Sequence, residues 1–324
     1  MAASKSKHWV LLAAGSTGWE NYRHQANVCH AYQVMHQNGI PEEQIVVMMY
    51  DDIADHEKNP DKGKIINAPN GPDVYTGVPK DYTGEDVTAD NFLAVLRGDS
   101  SAVKKTGAKK VIQSGRNDTV FIYLSDHGGQ GSFSFPNSTE HGAVPKPGNY
   151  ATRQDALNVL YADDLINTLT AMSKAGKFSK MVIYIEACHS GSMVEKLDEL
   201  KDSNVYAVSS CSPDGLSYAC YSDERLKTSL SSYFTAHWLQ HTEKVKLNTT
   251  SFGDQFSHLK KNVTESKSQK EKTQTPCNYG DMNIRHLMLS EFLGESRNSS
   301  QTLDRKCDDL IQEIQEQPAG CVVA

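Results

Sequence analysis

Short runs of apolar residues, separated by polar and glycine-containing segments, recur along the first two thirds of the chain. Five runs have the length and the β-branched or aromatic content of buried strands: 8–14, 44–50, 119–124, 181–186 and 205–209. Helical patterns fall between or after them, at 25–37, 88–96, 163–175 and 230–240. Strands that alternate with helices in this order predict an α/β fold with a mostly parallel central sheet flanked by helices.

The remaining segments are polar and predict loops or solvated structure. Pro, Gly and Asn recur through 56–84, and Gly, Pro and Ser through 128–149, so both segments are predicted to be long loops. Residues 241–276 are polar and Lys-rich, which predicts solvated helix and loop. Apolar residues within 303–317 have helical spacing and predict an amphipathic helix that needs a partner surface.

The chain of 324 residues is long enough for one large α/β domain or two smaller ones. Its 33 Lys and Arg against 40 Asp and Glu give a formal charge of −7, which argues against a nucleic-acid partner because such proteins carry basic patches. No apolar run approaches the roughly 20 residues that a membrane span needs. The first seven residues lack the apolar core of a signal peptide, so either the chain is cytosolic or a native leader is missing.

The cysteines, histidines and glycosylation sequons of the chain indicate which kinds of site and which cellular compartment to expect. Seven cysteines without a C-x-x-C pair fit neither a disulfide framework nor a zinc site, so we expect no metal and no other cofactor. Protonation of the 12 histidines would make the formal charge positive in an acidic compartment. Five glycosylation sequons favour a lysosomal or vacuolar location, or secretion; they begin at Asn117, Asn137, Asn248, Asn262 and Asn298.

Two of the predicted strands end in reactive side chains. His127 and Gly128 follow the third run, and Cys188 follows the fourth. Because the sites of open α/β sheets lie beyond the carboxyl ends of their strands, we expect the thiol and the imidazole at the lip of one groove, with Arg23 on its floor. A cysteine protease needs this pair and donors for an oxyanion, for which the backbone N–H groups of Gly128 and Cys188 are candidates.

Longer motifs surround these residues. They span 18–26, 38–52, 77–84, 125–128, 184–188 and 217–221. In content and order they resemble the signatures of the legumain family, the asparaginyl endopeptidases, and the resemblance covers about residues 7–297. It implies a caspase-like three-layer α/β fold and a cysteine endopeptidase that acts on proteins and peptides. We expect the protein to be a monomer.

The resemblance also implies roles for individual residues. Cys188 corresponds to the nucleophile and His127 to the general acid, with Asn21 orienting the histidine. The implied reaction is hydrolysis of peptide bonds after Asn, and after Asp at low pH. In this family the aspartate that matches Asp126 can cyclise to a succinimide, which is linked to transpeptidation (ligation) as a side activity.

The specificity can be considered from the residues themselves. An asparagine side chain offers one acceptor and two donors, so a pocket that recognises it needs a cation and an acceptor. Arg23 and Glu186 provide these two groups and lie within the matched motifs. His24 and Ser217 are weaker candidates for the wall of the pocket.

Two positions depart from the family pattern. His189 follows the cysteine where an acidic residue is usual, and Ser232 stands where a pocket aspartate is usual, with Tyr233 at the aromatic position that follows. Charged hydrogen bonds are roughly twice as strong as neutral ones, so we expect weakened selectivity for Asn. We also hypothesise that His189 favours the thiolate at low pH.

Residues 1–290 are predicted to form the catalytic domain and 291–324 a C-terminal extension. The hypothesis for the extension is that 303–317 is part of an activation peptide that covers the site and is released near Asn298. Two alternatives stay open. One is a glycolipid-anchor transamidase-like enzyme, which shares the His-Gly-Gly and cysteine layout; the other is an inactive adhesive scaffold, with the tripeptide at 97–99 as its adhesive motif.

Overall fold

A six-stranded sheet forms the centre of the computed structural model, which describes residues 6–136, 158–200, 203–264 and 273–295. The strands are β1 (His8–Ala14), β2 (Ile45–Met48), β3 (Thr119–Ser125), β4 (Gly128–Gly129), β5 (Ser132–Ser134), β6 (Val159–Tyr161), β7 (Lys180–Glu186), β8 (Val205–Ser209), β9 (Ala219–Asp223), β10 (Thr228–Ser232) and β11 (Cys277–Gly280). The helices are α1 (Tyr22–Gln37), α2 (Ala89–Arg97), α3 (Ala162–Lys174), α4 (Tyr233–Lys244), α5 (Phe252–Thr264) and α6 (Ser290–Leu293).

The central sheet has the strand order β11-β8-β7-β3-β1-β2. All neighbours are parallel except β11, which runs antiparallel to β8 at one edge. Ser125 at the end of β3 lies beside Ala14 of β1 and Glu186 of β7. The carboxyl ends of these three strands are therefore level, and the loops that follow them meet at one edge of the sheet.

Both faces of the sheet are covered, which makes three layers. Val10, Leu12 and neighbouring inward residues pack in one cluster with apolar residues of α1, α4 and α5. Leu11 and Ala13 belong to a second cluster with residues of α2 and α3 on the opposite face. Because side chains alternate between the two faces, a strand buried on both sides reads as an uninterrupted apolar run. The predicted α/β three-layer fold with a mostly parallel sheet is confirmed.

Several helix and strand bounds differ from the prediction. Helix α1 begins at Tyr22, earlier than expected, and α2 has Thr88 as its N-cap, whose hydroxyl accepts from the Asn91 N–H at 3.0 Å. The segment predicted as the start of a helix at 230 is instead the end of β10, and α4 begins at Tyr233. The segment 241–276 holds α5, whose Phe252 and Leu259 are fully buried against the rest of the fold.

The adhesive tripeptide lies at the end of α2. Gly98 closes that helix in the left-handed conformation, and the Asp99 carboxylate accepts from the hydroxyl of Ser101 at 2.6 Å and from backbone N–H groups of the next turn. A helix end therefore accounts for this tripeptide. Across the described ranges, no helix combines the length and apolar character needed to cross a membrane.

Three sequons can be placed in the fold, and Asn117 and Asn248 are exposed. The sequons at Asn137 and Asn298, and the proposed activation segment 303–317, lie outside the described residues. The division into a catalytic domain of 1–290 and an extension of 291–324 stays a prediction. Cys29, Cys211 and Cys220 are buried free thiols, as the sequence indicates for structural cysteines.

Candidate active site

The loops after β3 and β7 bring His127 and Cys188 to the same edge of the sheet. The two loops approach one another closely at Gly128, because a Cβ at this position would lie 2.4 Å from the carbonyl oxygen of Cys188. Only glycine fits at that distance. The predicted juxtaposition of the imidazole loop and the thiol loop is therefore present, and Gly128 is required for it.

Asn21 fixes the imidazole of His127. The Asn21 Oδ1 lies 2.8 Å from His127 Nε2, while the Asn21 amide nitrogen donates to the Thr17 carbonyl at 2.9 Å. Because the amide oxygen can only accept, His127 donates its Nε2–H to it, and the lone pair of the neutral ring is on Nδ1. Asn21 thus selects a tautomer, which fits the orienting role that the resemblance implies.

Asp52 is a residue of the site region to which the sequence analysis assigned no role. Its carboxylate accepts from the Gly18 N–H and from the Gln25 side-chain amide, both at 2.7 Å. These two donors flank the segment that carries Asn21, so one carboxylate holds both ends of that segment. The aspartate lies inside a matched motif, but only the fold shows what it contacts.

Cys188 is more enclosed than the sequence predicts. We expected its sulfur at the lip of a groove, but the residue keeps only 3% of its surface exposed. The reason is the segment that precedes β9, where the Ser217 N–H donates to Cys188 Sγ at 3.4 Å and the thiol faces the Ser217 carbonyl at 3.7 Å. Burial raises the pKa of the Cys188 thiol to about 11, so the thiol of the free protein carries its proton.

The hypothesis that His189 favours the thiolate at low pH stays a hypothesis, because the contact of its side chain is with Pro213. The backbone of His189 lies in the left-handed region (φ 58°), and its Nδ1 lies 2.9 Å from the Pro213 carbonyl oxygen. An imidazole can only donate to a carbonyl, so this nitrogen is protonated and faces Pro213. A left-handed non-glycine residue directly after a reactive thiol is a costly backbone conformation of the kind found at functional sites.

Three charged side chains form a buried cluster beside the thiol, made of Arg23, Asp126 and Glu186. All three are at most 1% exposed. Arg23 donates one N–H to the Glu20 carbonyl at 3.1 Å, but its Nε and Nη2 have no hydrogen-bond partner among the described residues. The same holds, within the described part of the chain, for both oxygens of Asp126 and for one oxygen of Glu186, whose other oxygen accepts from the Ser217 hydroxyl.

Burial dominates the electrostatics of this cluster. It raises the pKa of Asp126 to about 7 and that of Glu186 to about 8, against the opposing charge of Arg23. Arginine keeps its proton in proteins, so the guanidinium pairs electrostatically with one ionised carboxyl. If the second carboxyl also ionised, its buried charge would be uncompensated. It therefore keeps its proton at pH values well above its ordinary pKa.

The weaker pocket candidates lie around this cluster. Ser217 is fully buried and bridges Glu186 to Cys188 through its hydroxyl and its N–H. His24 is also buried, with Nδ1 3.2 Å from the Ser125 hydroxyl and its ring centroid 5.2 Å from that of His127.

Ser232 and Tyr233 lie at the junction of β10 and α4. The Ser232 hydroxyl accepts from the Asn27 amide at 3.3 Å, and the same amide donates to Ser125 at 3.1 Å. The Tyr233 N–H donates to the Tyr218 carbonyl at 3.1 Å, and the residue is buried. Ser232 thus lies within a polar network beneath His24, with a neutral hydroxyl where the family usually has a carboxylate.

Comparison with known proteins agrees with the motifs. Residues 8–295 match the peptidase C13 family. The chain belongs to this family. Legumain of Homo sapiens is 47% identical over 294 residues, which are 91% of this chain and 61% of that protein. Legumain of Canavalia ensiformis and the vacuolar-processing enzyme of Phaseolus vulgaris are each 41% identical over 283 residues, covering 85% of this chain and 55% and 53% of those proteins.

These similarities confirm the predicted legumain resemblance of this C13 chain. The chain spans about three fifths of the length of the animal legumains it matches. Among solved structures, caspase-1 from Spodoptera frugiperda has a TM-score of 0.48 at 11% identity, covering 91% of this chain and 92% of the caspase. That likeness adds nothing to the fold, which rests on the strand order and direction given above.

Proposed function

We propose that this C13 protein is a cysteine endopeptidase that cleaves peptide bonds after Asn, and after Asp at low pH. The observation that carries the proposal is the buried cluster of Arg23, Asp126 and Glu186, whose unpartnered donors and acceptors lie beside the Cys188 thiol. Ser217 contacts both Glu186 of the cluster and the sulfur of Cys188. The proposed recognition pocket therefore lies directly beside the proposed nucleophile.

The cluster complements a primary amide. The Nε and Nη2 of Arg23 can donate to the amide oxygen, and the free oxygen of Glu186 can accept from the amide NH₂. A buried polar group without a partner costs about 1–3 kcal/mol, so a ligand that satisfies several of them gains that free energy on binding. An alanine side chain would leave them unsatisfied, and the pocket therefore discriminates against apolar residues.

Cleavage after Asp follows from the same geometry. An ionised aspartate would bring a further negative charge into a buried pocket where Arg23 already pairs with one ionised carboxyl, whereas a protonated carboxyl has the shape of the amide and can donate from its O–H. Free aspartate has a pKa of about 3.9, so the protonated form becomes available only in acid. Cleavage after Asp is thus expected to rise as pH falls, and cleavage after Asn to depend on pH much less.

The proposed reaction uses Cys188 and His127 in sequence. The thiol sulfur attacks the carbonyl carbon of the Asn residue, and its proton passes to Nδ1 of His127, whose Nε2–H stays on Asn21. The C–N bond then breaks, and the imidazolium returns the proton to the leaving amine. Water hydrolyses the resulting thioester and regenerates the thiol. Backbone N–H groups of Gly128 and Cys188 are proposed to stabilise the oxyanion.

The transpeptidase side activity is a finer proposal. If an amine rather than water attacks the thioester, the product is a new peptide bond. The proposed succinimide at Asp126 forms when the backbone nitrogen of His127 attacks the Asp126 carboxyl carbon and water leaves. His127 follows Asp126 directly in the chain, so its backbone nitrogen is the one that this ring closure requires.

An acidic location is proposed as well, lysosomal, vacuolar or extracellular. The vacuolar-processing enzyme named above supports it, as do the exposed sequons. Protein and peptide substrates, and a monomeric state, belong to the same proposal.

Matched peptides that differ only in Asn, Asp, Gln or Ala before the scissile bond test the function, at pH 5 and pH 7. We expect kcat/KM for Asn to exceed that for Ala by at least about 100-fold, since two satisfied buried groups correspond to about 3 kcal/mol. Arg23→Gln should remove most of this ratio, and Arg97→Gln, a change at the end of α2, is the matched control. Equal cleavage of the Asn and Ala peptides, or cleavage by Cys188→Ala, would contradict the proposal.

A further inference from the structure

His24, Asp126 and His127 converge at the active site in a way that the peptidase reaction does not require. One ligand atom from each of the three lies within 4.8 Å of the other two. The His24 Nε2 is 3.7 Å from Asp126 Oδ1, which is too long for a hydrogen bond. Both atoms are buried, and within the described ranges neither has a hydrogen-bond partner. Two buried atoms that face one another without a hydrogen bond are a pair that one shared ligand could satisfy.

The separations that involve His24 are close to those of a tetrahedral metal site. Zinc binds His nitrogen and carboxylate oxygen at about 2.0–2.2 Å, so two ligand atoms on one ion lie about 3.4 Å apart. Two imidazole rings on the same ion have centroids about 5 Å apart by the same geometry. The observed values are 3.7 Å between the His24 and Asp126 atoms and 5.2 Å between the His24 and His127 centroids, with the rings at 66°.

The outer partners of both histidines suit metal ligation. A metal-bound histidine usually donates its other ring N–H to a neighbouring group, which fixes the tautomer. The His127 Nε2 is held by Asn21 at 2.8 Å, so its Nδ1 carries the lone pair. The His24 Nδ1 lies 3.2 Å from the Ser125 hydroxyl, and when it donates there the lone pair is on Nε2.

The charges nearby permit a cation. Arg23 opposes a cation through its charge, but Glu186 interacts electrostatically with the same guanidinium and balances it when it is ionised. The Asp126 carboxylate then supplies the negative charge that the ion needs. Zn²⁺ suits two nitrogens and one oxygen with an open fourth position, which water or the Cys188 thiolate would fill.

We propose that His24, Asp126 and His127 form an inhibitory binding site for Zn²⁺ or a similar divalent transition-metal ion, within the active site. The ion occupies the His127 nitrogen that would accept the thiol proton, so it blocks the reaction rather than assisting it. This consequence rests on the proposed peptidase function, whereas metal binding itself does not. The expectation that the enzyme needs no metal for activity is unchanged.

Binding is measured first without activity. Zn²⁺ is titrated calorimetrically into Cys188→Ala, which keeps all three ligands, and Co²⁺ replaces it as a spectroscopic probe. We expect one equivalent, with the absorption of four- or five-coordinate Co²⁺. Loss of an outer partner costs about 10–100-fold in metal affinity, and loss of a ligand costs at least as much, so His24→Gln in the same background should bind at least about 10-fold more weakly. His286→Gln, an exposed histidine, is the control.

No binding to Cys188→Ala, octahedral Co²⁺ only, or equal affinity of His24→Gln and its parent would overturn the proposal. If His24→Gln fails to fold, the Co²⁺ spectrum of the parent decides alone. Inhibition is the second measurement: Zn²⁺ should stop Asn-peptide cleavage by the wild type, and a chelator should restore it. If Cys188→Ala binds the metal and the wild type has no peptidase activity, the proposed function is refuted and the metal site is not. If the wild type is active and Cys188→Ala binds no metal, the metal site is refuted and the proposed function is not.

Discussion

The substitution Glu186→Gln tests how ionisation of the Glu186 carboxyl affects the stability of the folded protein, separately from the role of the cluster in substrate recognition. Glutamine keeps the size of the side chain and an acceptor oxygen but cannot ionise. Burial raises the pKa of Glu186 from an ordinary value of 4.5 to about 8 in the folded protein. A carboxyl whose pKa is higher in the folded state stabilises the fold fully below the unfolded pKa, and this contribution is lost as pH rises through the folded pKa.

The size of that loss can be worked out. The difference between the two pKa values, at about 1.4 kcal/mol for each pH unit, gives an upper limit of about 5 kcal/mol between pH 4.5 and pH 8. Arg23 offsets part of the charge when Glu186 ionises, so we take about half, roughly 2–3 kcal/mol. The free energy of unfolding of the wild-type protein should therefore fall by this amount between pH 5 and pH 8 because of Glu186, and this contribution should be absent in Glu186→Gln.

The assay is urea unfolding at pH 5 and pH 8, with Cys188→Ala in both proteins to prevent self-cleavage. We expect the free energy of unfolding to fall more steeply with pH in the parent than in Glu186→Gln, by roughly 2–3 kcal/mol across the range. Asp126 titrates in both proteins, but in Glu186→Gln it has the Arg23 charge to itself, so its own loss of stability with pH is smaller there and adds to the difference in the same direction. Equal pH dependence of the two proteins would refute the reasoning that Glu186 is protonated in the free site.

Three further predictions concern positioning, capping and selectivity. Asp52→Asn should lower kcat about 10-fold with little change in KM, because the segment that carries Asn21 loses its charged acceptor; unchanged kinetics would remove Asp52 from that role. Thr88→Ala should lower the free energy of unfolding by about 1 kcal/mol, since α2 loses its N-cap, and thermal unfolding measures it. Ser232→Asp should raise the Asn-to-Ala ratio of kcat/KM in matched peptides, and an unchanged ratio would refute the proposed cause of weak selectivity.

The central strands could be predicted because both faces of the sheet are covered. The residues of β1, β3 and β7 are buried at nearly every position, so their sequences are continuous apolar runs with turn signals on either side. Reactive groups directly after two adjacent parallel strands then had to lie at one edge. This is why the pairing of the His127 and Cys188 loops followed from the sequence.

The β9–β10 hairpin could not be predicted in the same way. Its second strand reads Thr-Ser-Leu-Ser-Ser, with one large apolar side chain, and no local pattern marks it. It is held instead by contacts from distant parts of the chain, such as the Ser231 hydroxyl on Asn27 at 2.9 Å. Strand preference of such residues depends on what they pack against, so the sequence indicated a helix where Leu230 is a buried strand residue.

The sequence named Arg23, Asp126 and Glu186 as candidate site residues and the fold places them in one cluster, but the sequence did not indicate their burial. Arg23 and Glu186 follow from the chemistry of the amide, and nothing in their local sequence distinguishes a solvated pocket from a dry one. Gly15 shows how the burial arises: a Cβ there would lie 2.5 Å from an Asp126 oxygen, so the end of β1 closes over that carboxyl. Such closure is a property of the packed strands and has no local signal.

A dry pocket with unsatisfied charges is costly for the fold and useful for recognition. Each unpartnered group of Arg23, Asp126 and Glu186 lowers the stability of the free protein, and a side chain that satisfies it recovers that free energy at the moment of binding. Ser217 takes one Glu186 oxygen and leaves the other, so the pocket need not break that bond to accept an amide. The enclosure of Cys188 by the same serine means that pocket filling and access to the sulfur are coupled. The proposed selectivity for Asn therefore depends on the free energy that the empty pocket costs the fold, and apolar replacements that stabilised the pocket are expected to weaken that selectivity.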